Sequence, residues 1–343
     1  MSTLHDLESR LEELAQATAP PEPEELAETM SAGVAALREE GDSVRPADSS
    51  GEPGGVVYLV RDIPTVVVPD IHARRELIIA LMNLPLHSRG VELRLIEALA
   101  EAQAQIVFVG DYVHAEARAI QRWSRAFEEY QSGFKRHEAM DQEMVESLGV
   151  LQMVASLKDS FPLMVHGLKG NHENIANEHR DGNYPFRKFV LEGSMVAEYM
   201  ERFFPGSGFS SVYKFEKNLP LLTVGNRFLV SHAEPARAFT PEEIINYRGN
   251  EEVVAGLTWT ANDEAARGSV QEMLHSFLGP QVGMEAYYFG GHRPIESRYN
   301  LRAQGAYVQL HNPERFIAAI LPASGEIDLE RDVDELPQPE GER

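Results

Sequence analysis

The sequence predicts an α/β (α+β) fold with a mixed sheet, and three observations carry the prediction. Short β-branched or apolar runs at Thr65–Val68, Ile106–Val109 and Leu163–Val165 alternate with stretches of helical composition, as parallel strands with helical crossovers require. Residues 115–160 are rich in Ala, Glu, Arg, Met and Gln and nearly free of Gly and Pro, which favours long helices. Leu219–Val224 and Arg227–Val230 flank Gly225-Asn226, a two-residue hairpin signal that adds an antiparallel pair.

The elements follow in order. Leu4, Leu7, Leu11 and Leu14 keep a three-four spacing and predict a short amphipathic helix, which Pro20-Pro21-Glu22-Pro23 interrupts. A second helix carries Leu26, Met30, Val34 and Leu37 on one side. Two heptads are too few for a coiled coil, so this pair reads as an arm laid on the core or on a partner. From Gly41 to Gly55 the chain is Gly, Pro, Ser and acid, a linker by composition. Residues 1–54 therefore form an acidic helical arm and linker. The strand at Thr65–Val68 is followed by helices over Glu76–Leu84 and Leu93–Ala102, then by the strand at Ile106–Val109 and the long helices. After the hairpin, Tyr287–Phe289, Ala306–Leu310 and Arg315–Leu321 read as strands that close a domain spanning 55–323. Residues 324–343 read as an acidic flexible tail.

Composition excludes several function classes. A hydrophobic fraction of 43% and a charged fraction of 25% fit a soluble globular protein. No run approaches the roughly 18 apolar residues of a membrane span. Asp6, Glu8 and Glu12 leave no room for a signal-peptide core, so a cytoplasmic protein is expected. With no cysteine, any metal must be held by His, Asp, Glu or Asn. Residues 1–54 carry 13 acidic and 3 basic side chains, and residues 324–343 carry 8 and 2, so most of the net charge of −23 sits at the two ends. No basic stripe for a nucleic-acid backbone stands out, which argues against bulk nucleic-acid binding.

Five short polar signatures punctuate the middle: Asp70-Ile71-His72, Gly110-Asp111, Gly170-Asn171-His172-Glu173, Ser231-His232-Ala233 and Gly291-His292. Each follows an apolar run, and in open α/β sheets ligands sit just beyond the carboxyl ends of strands. Carboxylate, imidazole and amide oxygens of this kind suit two divalent ions of the Mn, Fe or Zn type. A lone His292 after two glycines would read as a turn residue; the ordered set raises it to a ligand. His166 lies on an apolar strand and reads as a packed core residue, and His311 in Leu310-His311-Asn312-Pro313 as a strand-end turn.

In this order the signatures resemble the calcineurin-like metallophosphoesterases, over roughly residues 62–321. They are most similar to the phosphoprotein phosphatase branch, which includes protein Ser/Thr phosphatases and bacterial diadenosine tetraphosphatases. Gly110-Asp111-Tyr112-Val113 and Gly170-Asn171-His172-Glu173 are the specific strings. The resemblance implies a β-sandwich of mixed sheets flanked by helices. It implies one metal ion on Asp70, His72 and Asp111 and a second on Asp111, Asn171, His232 and His292. His172 would be the catalytic histidine that protonates the leaving oxygen. The expected activity is hydrolysis of a phosphate ester or phosphoanhydride by a water activated between the two ions, on a phosphoprotein or a small phosphate compound such as a nucleotide.

The chain departs from the family where Gly-Asp-x-Val usually continues into Asp-Arg-Gly. Here His114-Ala115-Glu116 follows, so the orienting Asp is replaced by His114 and the phosphate-binding Arg by Ala115. His114 is therefore a second catalytic candidate, and Arg74, Arg118, Arg180 and Arg293 are candidates for the missing substrate contact. Asp111 and Asn171 lie 60 positions apart, longer than the family's connection, which places a helical insertion within 115–160. These departures keep one alternative open, a catalytically weak metal-binding scaffold or regulatory protein.

Overall fold

The central strands are apolar on both faces, so each face needs a cover. In the computed structural model, which describes residues 3–338, β2 (Thr65–Val68) and β3 (Gln105–Phe108) are buried at every position. Successive side chains of a strand point to opposite faces. Val66, Val68, Ile106 and Phe108 enter one core, packed by helices, while Val67 and Val107 enter another, shared with a second sheet.

One sheet runs β1 (Val56–Tyr58), β5 (Leu222–Val224), β6 (Phe228–Val230), β7 (Tyr287–Gly290), β9 (Tyr307–Gln309) and β8 (Asn300–Arg302). The other runs β11 (Val333–Glu335), β10 (Ile317–Leu321), β2, β3 and β4 (Val165–Gly167). Both are mixed: β2, β3 and β4 are parallel, as are β6, β7 and β9, whereas β10 opposes β2 and β5 opposes β6. Val230, Phe289 and Val308 meet Val67, Val107 and Ala319 between the sheets, which makes a β-sandwich. The architecture matches the α/β sandwich expected from the resemblance.

Helices cover the two outer faces. On the β2–β4 side lie α1 (Leu4–Gln16), α2 (Pro23–Arg38), α3 (Arg75–Met82), α4 (Leu95–Ala100), α5 (Ile120–Gln131), α6 (Glu138–Ser160), α7 (Glu192–Phe203) and α8 (Ser207–Asn218). On the other side are α9 (Pro241–Ile245), α10 (Glu251–Thr258) and α11 (Ser269–Leu278), which supply Ile244, Leu257 and Met273 to a smaller core. Among the described residues no helix is long and apolar enough to cross a membrane.

The N-terminal arm packs on its own protein. Thr3 and Asp6 form a reciprocal capping box at the start of α1, and Leu7, Leu11 and Leu14 are buried. α2 lies against α6 and α8 with Leu26, Met30 and Leu37 inward. Two readings from composition need correction. Residues 41–54 are pinned rather than loose, because the buried Arg45 guanidinium donates to Gly54 O at 2.6 Å and Asn218 O at 2.7 Å. Within the expected 324–343 tail, residues 324–338 supply the edge strand β11, paired with β10, and bury Val333 and Leu336, while residues 339–343 lie outside the described residues. The hairpin turn is also shifted by one residue. Gly225 N donates to Phe228 O at 2.9 Å, so Asn226 and Arg227 form the turn.

Candidate metal centre

The parallel strands deliver the polar signatures to one rim. Asp70 follows β2, Asp111 follows β3, Asn171 and His172 follow β4, His232 follows β6, and His292 follows β7. The loops that carry them approach closely. A Cβ on Gly291 would overlap the Asp70 carboxylate, and His292 N donates to that carboxylate at 3.0 Å. Glu173 ties two loops together by accepting from Gly170 N (2.7 Å), Asp111 N (2.8 Å) and Tyr112 N (2.9 Å). His72, Asp111, His114 and His292 all sit at positive φ (47°, 50°, 76° and 63°), a concentration of backbone strain typical of functional sites.

The donor atoms converge. Asp111 Oδ2 lies 3.6 Å from His72 Nε2 and 3.5 Å from His232 Nε2, so one carboxylate oxygen stands between two groups of ligands. On one side, His72 Nε2 faces Asp70 Oδ2 at 3.9 Å. Its Nδ1 points at the carbonyls of His114 (3.0 Å) and Val113 (3.2 Å), which assigns the proton to Nδ1 and leaves Nε2 free to ligate. On the other side, Asn171 Oδ1 lies 2.9 Å from both His232 Nε2 and His292 Nδ1.

Electrostatics point the same way. Burial, and then the neighbouring Glu173 and Asp70 carboxylates, push Asp111 well above the usual carboxylate range. Burial holds His232 down at about 3 and His292 at about 3, and His72 well below its ordinary value. The rim thus combines crowded anions with neutral imidazoles, the protonation state of metal ligands. Oxygen and imidazole donors without a thiolate fit hard or borderline divalent ions. Among the described residues, Asp70, Asp111 and His232, and Asp70, His72 and His311, each bring ligand atoms within 4.8 Å of one another.

His172 and His114 stand beside this group. His172 N donates to Asp111 Oδ1 at 2.9 Å, its ring packs 4.6 Å from Phe186, and its Nε2 is 3.8 Å from Asp111 Oδ2. Burial, then His114 and His72, push its pKa well down. The His114 ring lies 4.9 Å from that of His172 and stacks on Trp123 at 4.8 Å. Behind it, the buried Glu192 carboxylate approaches His114 Nε2 at 3.7 Å.

The four arginines separate. Arg74 is not a substrate contact, because it is buried and donates to the carbonyls of Asp70, Ile71, Asn312 and Arg315. Arg118 is held by Ala73 O at 3.0 Å and Glu146 at 2.8 Å. Arg180 is exposed and paired with Glu178 at 2.7 Å, in a cavity of about 260 Å³ with Lys169 and Tyr247. Arg293 is exposed beside His292, whose pKa its charge helps lower, and its guanidinium makes no hydrogen bond or ion pair among the described residues.

Sequence reasoning missed four groups here: His311, Glu116, Glu192 and Lys188. The sequence around His311 predicts a strand-end turn, yet the residue is fully buried with Nε2 3.1 Å from Glu116 Oε2. It stands two residues after β9, as His232 and His292 stand two residues after β6 and β7, and that repeated offset was the available signal. Glu192 begins helix α7, far from any signature, and had none.

No family model and no curated protein matches the sequence. Among solved structures, the chain is similar to a protein serine/threonine phosphatase from Saccharomyces cerevisiae described as similar to human phosphatase PP5. Identity is 13%, coverage is 94% of this chain and 91% of that one, and the TM-score is 0.54. The fold is that of the phosphoprotein phosphatases. A cold-active protein-tyrosine phosphatase from Shewanella also aligns, at 12% identity over 82% of each chain with a TM-score of 0.43. Within this phosphoprotein phosphatase fold, the rim described above lies at the carboxyl ends of the parallel strands of both sheets.

Proposed function

We propose that this protein is a metal-dependent phosphoesterase that hydrolyses a phosphate ester or phosphoanhydride. The observation that carries the reading is the convergence of Asp70, His72, Asp111, Asn171, His232 and His292 from five strand ends, with Asp111 Oδ2 between the two groups. Asp70, His72 and Asp111 hold one ion, and Asp111, Asn171, His232 and His292 hold the other. Two divalent ions of the Mn, Fe or Zn type supply Lewis acidity toward phosphoryl oxygens and a water of lowered pKa.

The remaining groups handle the substrate. His172 holds the proton that goes to the departing oxygen as the P–O bond breaks. Burial, then His114 and His72, lower the pKa of its ring, and an anionic phosphate beside it would favour the protonated form. His114 is a positioning residue: packed between Trp123 and Phe189, it fixes the ring behind His172, with Glu192 supplying the carboxylate. Arg293 binds a phosphate oxygen at the mouth, taking the part of the arginine absent at Ala115.

Turnover of an aryl phosphate by Mn²⁺-loaded protein, with Asp111→Asn as the inactive control, tests the assignment. Undiminished activity in that variant ends it. Stoichiometric binding of two Mn²⁺ without any turnover favours a metal-binding scaffold. Parallel assays on a phosphopeptide and a dinucleoside polyphosphate then separate the two substrate classes.

A further inference from the structure

Three neighbouring parallel strands, β6, β7 and β9, each place a histidine two residues beyond their last residue: His232, His292 and His311. The ladder register sets His292 level with His311 and His232 level with Gly291, so the three imidazoles stand along one rim. The first two have places in the proposed metal centre. The third does not.

His311 is fully buried; its Nε2 faces Glu116 Oε2 at 3.1 Å, and its Nδ1 has no hydrogen-bond partner. Buried polar atoms in native proteins are nearly always partnered, and an orphan points to a missing water or ion. Its Nδ1 lies 3.7 Å from Asp70 Oδ2, and it can offer a ligand atom within 4.8 Å of those of Asp70 and His72. Donors sharing an ion at about 2.0–2.2 Å in tetrahedral array stand roughly 3.4 Å apart, close to this spacing.

We propose that His311 is a fourth protein ligand of the ion held by Asp70, His72 and Asp111, with Glu116 accepting its other ring N–H. The inference rests on the metal-centre reading above. A ligating histidine typically gives its second N–H to a carboxylate or carbonyl that fixes its orientation. His72 does this with the carbonyls of Val113 and His114. Glu116 Oε2, 3.1 Å from His311 Nε2, stands where the same service is needed, and Lys188 anchors its other oxygen at 2.7 Å. Glu116 occupies the segment that departs from the family, so the altered loop and the added imidazole are one feature. Each ion then has four protein donors, with Asp111 shared. An extra imidazole tilts the first position away from Mg and toward Fe or Zn.

Calorimetric titration of metal-free protein with Mn²⁺, paired with an anomalous-scattering map of Mn²⁺-loaded crystals, tests the assignment. The wild type should take two equivalents. His311→Ala should weaken one by at least about tenfold and leave the other within about twofold. The map should put a peak about 2.0–2.3 Å from a His311 nitrogen. If His311→Ala does not fold, the wild-type map decides alone. Unchanged affinity in a folded variant, or a peak on Asp70, His72 and Asp111 with His311 beyond about 3 Å, would overturn the proposal and leave the metal centre standing. A wild type that binds no Mn²⁺ and shows no peak would sink the metal-centre reading itself, and this ligand with it.

Discussion

Two regions of this molecule bury clusters of charged and imidazole side chains, and they are built on opposite plans. Where the N-terminal arm meets the core, Glu40 accepts from Arg45 at 3.0 Å and from Lys158 at 2.6 Å. The spare donors of both cations go to carbonyls, at Gly54 and Asn218 for Arg45 and at Pro162 and Val165 for Lys158. His166 closes the group, its Nε2 donating to the Leu163 carbonyl at 3.1 Å and its Nδ1 lying 3.7 Å from Glu40 Oε1. At the strand-end rim, by contrast, Asp70 and Asp111 crowd together with no Lys or Arg ion pair among the described residues, and a ring nitrogen of each of His114, His172, His292 and His311 lacks a hydrogen bond. Burial of polar groups does not by itself mark a site. A concentration of unfinished pairing does: single orphans such as His166 Nδ1 and Arg75 Nε occur elsewhere, but the rim gathers such ring nitrogens from four histidines beside crowded carboxylates.

Opposite responses to mutation follow from this contrast. Asp111→Asn should cost about a thousandfold in kcat/KM, several kcal/mol of transition-state stabilisation. It should also raise the melting temperature of the metal-free protein, since it removes a carboxylate whose charge burial and Asp70 disfavour. Loss of stability in metal-free Asp111→Asn would break the comparison. Glu40→Ala should do the reverse, costing about 3–5 kcal/mol in denaturant unfolding while activity per folded molecule is unchanged.

The acid limb of the stability curve sharpens the point. Burial alone would raise Glu40, but His166, Lys158 and Arg45 outweigh it and bring it to about 2. A carboxylate with a depressed folded pKa contributes stability that is full above its unfolded value and is lost as the pH falls through the folded one. The window therefore runs from about 4.5 down to about 2, with on the order of 3 kcal/mol at stake. Glu40→Gln should flatten that limb, as read by unfolding in urea at successive pH values. A limb unchanged by this substitution would mean that the arm's cluster is not held by charge.

How much of this was legible beforehand depended on whether a feature is written locally. The strand-end signatures were, because each is a polar string directly after a β-branched or aromatic run, and the sheet supplies their convergence without further information. The arm was legible through the spacing of Leu7, Leu11 and Leu14, all buried in the structure. β11 was not. Its Val-Asp-Glu sequence has one apolar residue, and pairing with β10 across the 322–332 connection, rather than composition, makes it a strand. Arg74 looks like a free substrate arginine in the sequence because its acceptors at Asn312 and Arg315 lie 238 and 241 residues away, and nothing near it in the chain announces them. Glu192 reaches His114 only through the docking of α7, a packing event with no local signature.

The arginines offer the finest test of the pairing argument, with the smallest expected effect. Arg74 has its donors committed to four carbonyls, and Arg293 has none committed. If unpaired groups are the functional ones, Arg293→Ala should raise KM for an aryl phosphate roughly fivefold, about 1 kcal/mol, with little change in melting temperature. Arg74→Ala should lower the melting temperature, because it strands carbonyls that the guanidinium now satisfies. An exposed guanidinium is screened by water and gains little until phosphate neutralises it, which keeps the expected Arg293 effect small. The same screening makes the effect depend on salt, so the KM difference between wild type and Arg293→Ala should narrow as ionic strength rises. A difference that persists unchanged in high salt would mean that Arg293 acts by shaping the mouth of the site rather than by its charge.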